Sequence, residues 1–230
     1  MTGESNMNKE LFDLSNTKAV LFDFDGTLLD SNDLIADTWR HTIKTLAGRD
    51  IPDDEIRQTL GAILIDSMRD LLPEIDPEEG VDFYREYQRE IFLDRIKVFD
   101  GTEELLRGLK ANGYKNALVT SRMKNSTYKA LDQFGVTDLF DVILTANDTD
   151  KFKPDPTPIY MVLDTLGCKT SEAIMIGDTI YDIEAGKASG VFTVLVDWSF
   201  SLPPGERRES APQADIVINK LTDILTLLRR

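Results

Sequence analysis

The chain has 230 residues with 41 Asp+Glu against 26 Lys+Arg, a net charge of −15 and a hydrophobic content of 41%. These values describe a folded acidic protein; they exclude a disordered or fibrous chain and argue against a nucleic-acid partner, which would need a basic stripe. The single cysteine, Cys168, excludes an internal disulfide and a structural zinc site and fits a reducing compartment. The first ten residues, MTGESNMNKE, are polar, and no apolar run approaches the ~20 residues that span a bilayer. The expectation is a cytoplasmic protein with no membrane partner.

In chain order, Lys18 to Phe22 (KAVLF) reads as a first strand and runs into Asp23, Phe24, Asp25, Gly26 and Thr27. Residues 31 to 99 show no strand pattern but three or four helical ones. In NDLIADTWRHTIKTLAG, residues Leu34, Ile35, Thr38, Trp39, Thr42, Ile43 and Leu46 fall at helical spacing. The sole histidine, His41, lies there as a helix residue, and no GxSxG elbow offers it a nucleophile. Pro77 to Ile96 is a further helix, in which Tyr84, Tyr87 and Phe92 read as packing residues. A connection of this size is not a loop. It reads as a helical subdomain bounded by Leu29 to Ser31 and by Val98 to Gly101.

From residue 100 onward, helices and strands alternate, the pattern of βαβ units on a parallel sheet. The helices are Thr102 to Asn112, Asn125 to Phe134, Pro156 to Leu166 and Ile180 to Ser189; Gly113, Gly135, Gly167 and Gly190 follow them as left-handed stops. The strands are Asn116 to Val119, Val142 to Leu144, Ala173 to Ile176 and Val191 to Val196, with Asp215 to Ile218 as an edge strand. Ser199 to Gln213 reads as a surface loop.

Ligands of an open parallel sheet bind beyond the carboxyl ends of its strands. There stand Asp23 and Asp25 after the first strand, Thr120 and Ser121 after the second, Lys153 in a later loop, and Asp178 after AIMIG. This set suits phosphoryl transfer through an aspartyl phosphate with a divalent cation. A carboxylate with a reference pKa of ~3.9 is ionised at neutral pH and needs no base to attack phosphorus. A second one, Asp25, is able to act as acid and then base if its surroundings raise its pKa. Gly26 allows close backbone approach. Asp23 and Asp178 offer magnesium two hard oxygen ligands, and Lys153 adds a compact positive charge.

These residues resemble the haloacid dehalogenase superfamily. DFDGTLLD at 23–30 looks like its motif one, Thr120 like motif two, KPDP at 153–156 like motif three and GDTIYD at 177–182 like motif four. The resemblance implies an α/β fold, a Rossmann-like doubly wound parallel sheet (residues 1–30 and 99–230) with an inserted all-α cap domain (31–98). It implies Asp23 as nucleophile, Asp25 as general acid and base, and Thr120 and Lys153 as phosphoryl binders, with Gly26, Thr27, Ser121 and Arg122 around the phosphate pocket. Mg2+ would be held by the Asp23 carboxylate, the Asp25 backbone carbonyl and Asp178, with Asp182 nearby. The insertion looks like the cap of the phosphoglycolate phosphatase subgroup, with Leu60, Gly61, Ala62 and Ile63 as the loop that dips into the site.

The partner is then a small phosphorylated metabolite, and the protein a monomer or homodimer. Asp at position 25 argues for phosphate ester or anhydride chemistry over dehalogenation. A pyrophosphatase or a sugar phosphomutase of the same fold is the alternative. A phosphorylation switch uses a similar residue set, but Asp25 supplies the base that would discharge it.

Overall fold

The computed structural model describes residues 14–198, 200 and 214–228. In chain order its strands and α-helices are β1 (Ala19–Phe22), β2 (Leu29–Asp30), α1 (Asn32–Ala47), α2 (Asp53–Thr59), α3 (Leu64–Leu71), α4 (Pro77–Arg95), β3 (Lys97–Val98), α5 (Thr102–Ala111), β4 (Lys115–Val119), α6 (Lys124–Gln133), β5 (Val142–Leu144), α7 (Thr157–Leu166), β6 (Ala173–Gly177), α8 (Ile180–Ser189), β7 (Phe192–Val196), β8 (Ile216–Ile218) and α9 (Asp223–Leu228).

Six strands form one parallel sheet in the order β5-β4-β1-β6-β7-β8. Strand side chains alternate between two buried faces, which is why these runs are apolar throughout. Val20, Phe22, Leu118, Ile174 and Ile176 join a core with α5, α6 and α9 on one face. Ala19, Leu21, Ala117, Val119 and Met175 join a second core with α7 and α8 on the other. The sheet is thus doubly wound, as expected. From β1 the chain builds outward through β4 and β5, then returns to β6 on the other side of β1. That reversal opens a crevice at the carboxyl ends of β1, β4 and β6, the usual ligand position in such sheets.

Helices α1 to α4 pack around their own cluster, which includes Trp39, Ile43, Ile56, Met68, Val81 and Tyr84. Trp39 and Tyr84 meet with ring centroids 4.9 Å apart, and His41 stacks on Tyr87 at 3.7 Å. One expectation is corrected here: residues 31 to 99 do contain a strand. Lys97–Val98 pairs antiparallel with Leu29–Asp30 and ties the entry of the helical insertion to its exit. Two residues are too few for a period to register; the partner strand defines them. Gly113, Gly135, Gly167 and Gly190 all have positive φ, from 65° to 82°. The expected loop Ser199 to Gln213 lies, apart from Phe200, outside the described residues. No helix among the described residues is long and apolar enough to cross a membrane.

Candidate active site

Strand β1 ends at Phe22, and the next residue, Asp23, is held in line by its N–H donating to the Ile176 carbonyl of β6 at 2.8 Å. Its side chain is buried, 7% exposed for the residue. Lys153 is equally buried. The Lys153 Nζ donates to Asp23 Oδ1 at 2.6 Å, to Asp182 Oδ1 at 2.6 Å and to the Val119 carbonyl at 3.0 Å, so all three of its protons are placed. Burial would lower the lysine pKa, but Asp182 and Asp23 outweigh it and raise it above the ordinary value. Asp182 accepts from the N–H and hydroxyl of Thr179 through Oδ2, capping α8 as well as facing Lys153.

Asp23, Asp178 and Asp182 are all buried and offer carboxylate oxygens within 4.8 Å of one another. Burial pushes the Asp23 carboxyl up to about 7, Asp182 and Asp25 adding to it and Lys153 opposing it. Ionisation at neutral pH, expected from the ordinary carboxylate value, is therefore not given by Asp23 alone. The donor set fits a hard divalent cation: carboxylates this close repel, and one cation relieves the repulsion and favours the ionised forms. The approach is close enough that only glycine fits at position 26. Its φ is +80°, and a Cβ there would lie 2.2 Å from Asp178 Oδ2.

Asp25 lines the same cleft but is not one of these three carboxylates. Arg122 grips it with two hydrogen bonds, Nε to Oδ2 at 2.8 Å and Nη2 to Oδ1 at 2.6 Å, and the Ser31 hydroxyl donates to Oδ1. Burial would raise the Asp25 pKa, but Arg122 and Ser31 together hold it below the ordinary value. The condition set for its acid role, surroundings that raise its pKa, is therefore not met in this arrangement, because of a partner 97 residues away in the chain. Arg122 lies at the cleft as expected, yet its charge is committed to Asp25, and the Phe92 ring of α4 lies 5.1 Å from its guanidinium carbon.

Thr120 and Ser121 line the cleft. Neither caps α6, whose N-cap is Met123; the Thr120 hydroxyl instead accepts from the Arg122 N–H. Gly26 lines the cleft too, whereas Thr27 does not. The Thr27 side chain is wholly buried beneath the loop, because the turn that brings Gly26 to Asp178 points the next residue inward.

The cleft between the carboxyl ends of the strands and the insertion has a volume of about 510 Å³. Leu60, Gly61 and Ala62 line it, while Ile63 does not and is 42% exposed. At Gly61, with φ +77°, a Cβ would lie 2.8 Å from the Tyr181 ring, so this loop touches the start of α8 beside Asp178 and Asp182. Asp82, Arg85, Gln88 and Arg89, on the α4 face, also line the cleft beside the packing residue Phe92, and the sequence reading gives these four no role. Their three- and four-residue spacing is the signal that marks one helix face.

The haloacid dehalogenase-like hydrolase family matches residues 20–196. Over 213 residues the chain is 36% identical to a protein of Clostridium perfringens provisionally named pyrophosphatase PpaX, covering 93% of this chain and 98% of that one. It is 32% identical to pyrophosphatase PpaX of Bacillus velezensis, covering 90% and 94% of the two chains. A solved structure from Lactobacillus plantarum, provisionally named a phosphoglycolate phosphatase, superposes with a TM-score of 0.78 at 25% identity, covering 92% and 99%. The sheet order, the carboxylates at its rim and these likenesses agree, and the chain belongs to the haloacid dehalogenase-like hydrolases, a family of enzymes.

Proposed function

We propose that the chain is a magnesium-dependent phosphatase acting on a small phosphate monoester or phosphoanhydride through an aspartyl phosphate on Asp23. The observation that carries this reading is a buried Asp23 hydrogen-bonded by Lys153 and within 4.8 Å of Asp178 and Asp182, at the rim of an open cleft. The Asp23 carboxylate attacks phosphorus, the bond to the leaving oxygen breaks, and that oxygen takes a proton from Asp25. Water then attacks phosphorus and gives a proton to Asp25, the bond to Asp23 breaks, and phosphate leaves.

The ionised Asp25 held by Arg122 is the form able to take the proton from water. Its acid form requires the guanidinium to move off. Lys153 keeps Asp23 oriented and bears positive charge toward the transferring oxygens. Asp23, Asp178 and the Asp25 backbone carbonyl, with Asp182 nearby, would hold a magnesium ion, which would neutralise phosphoryl charge and favour the ionised form of Asp23. The helical insertion, residues 31–98, acts as the cap over this site and excludes water between steps.

The names of the relatives favour pyrophosphate, whereas the solved neighbour's name favours phosphoglycolate. Phosphate release from pyrophosphate, phosphoglycolate, nucleotides, sugar phosphates and p-nitrophenyl phosphate tests the reading. Magnesium-dependent release from at least one substrate, silenced by EDTA, is the expected result. Release from none, or undiminished release in EDTA, contradicts it.

A further inference from the structure

The charges of the cleft divide into those that are occupied and those that are not. Lys153 is committed to Asp23 and Asp182, and Arg122 to Asp25. Every other arginine among the described residues, from Arg40 to Arg107, holds a carboxylate, except two. The two are Arg85 and Arg89, one helical turn apart on α4, and both line the cleft. Lys129 of α6 lines it as well, also without an ion pair. In a chain of net charge −15, Arg85, Arg89 and Lys129 are thus three cations without an ion pair that line one cavity. The insertion contributes one acid to this lining, Asp82, which pairs with neither arginine.

The cavity of about 510 Å³ far exceeds one phosphoryl group, so the space beyond Asp23 is available to the leaving group. We infer that Arg85, Arg89 and Lys129 form a subsite for a second anionic group on the substrate, a carboxylate or a phosphate carried by the leaving group. The assignment deepens the phosphatase reading and rests on it. Arginine at two adjacent turns suits this task, since its planar fork matches either oxyanion. It also separates substrates by charge: an uncharged alcohol of similar size leaves the three cations without an anion.

The test compares kcat/KM for pyrophosphate, phosphoglycolate and glycerol phosphate in wild type, Arg85→Ala, Arg89→Ala and the double variant, with calorimetric binding of pyrophosphate and phosphoglycolate in parallel. The double variant is expected to lower the ratio of the preferred anionic substrate to glycerol phosphate by about tenfold or more, to weaken its binding alike, and to be partly rescued by Arg89→Lys. Whether pyrophosphate or phosphoglycolate suffers the loss identifies the second anion. Unchanged ratios with unchanged binding, or no binding of either anion by wild type, overturn the subsite. Absence of turnover on every substrate, with binding still weakened in the variants, instead refutes the phosphatase reading and leaves the subsite standing.

Discussion

Replacing Asp23 by Asn is expected to reduce phosphate release by about 10⁴-fold or more, the scale on which a covalent nucleophile is lost, while the fold survives. The amide keeps the shape of the carboxylate but cannot attack phosphorus. Structure is spared because Lys153 keeps Asp182 at 2.6 Å, and because the carboxyl removed is one whose burial pushes it up to about 7. Phosphate release measured beside far-ultraviolet circular dichroism checks both halves. A variant with near-normal rates would remove Asp23 from the role of nucleophile.

The second large effect is on stability. Lys153→Ala leaves Asp23 and Asp182 buried without their shared ammonium, and breaking a buried pair in this way costs about 3–5 kcal/mol. Chemical denaturation of the metal-free protein measures it. The folded Asp23 titrates above its ordinary value, so the stability it confers when protonated is lost as pH rises toward and through about 7. Without Lys153 that loss continues to higher pH, and the deficit of the variant should grow from roughly pH 6 to 8. Magnesium should return part of it by supplying the missing positive charge. A variant as stable as wild type at both pH values would mean that Lys153 does not compensate these carboxylates.

Much of this arrangement is legible in the chain because it is local. KAVLF is followed by an acid, AIMIG by another, and the glycines after the helices stop them where the expected left-handed conformation is found. What the sequence does not display is pairing across distance. Arg122 and Asp25 are far apart in the chain, and neither carries a local mark that they will bind each other; the pair reverses the direction in which burial alone moves Asp25. The two-residue strand Lys97–Val98 exists only because Leu29–Asp30 lies beside it. Thr27 is turned inward by the same bend that presents Gly26, a distinction that composition does not contain. The α4 face with Arg85 and Arg89 has helical spacing, but only the placement of the insertion over the sheet rim makes it a wall of the cleft.

In the proposed mechanism the phosphoryl group passes through Asp23. Mixing wild-type protein with magnesium and a turned-over substrate, quenching in acid within one turnover and weighing the peptide that carries Asp23 tests it most directly. One phosphoryl group is expected on that peptide early in the turnover, disappearing as free phosphate appears. Free phosphate formed in the first turnover with that peptide unmodified at every time point would contradict it.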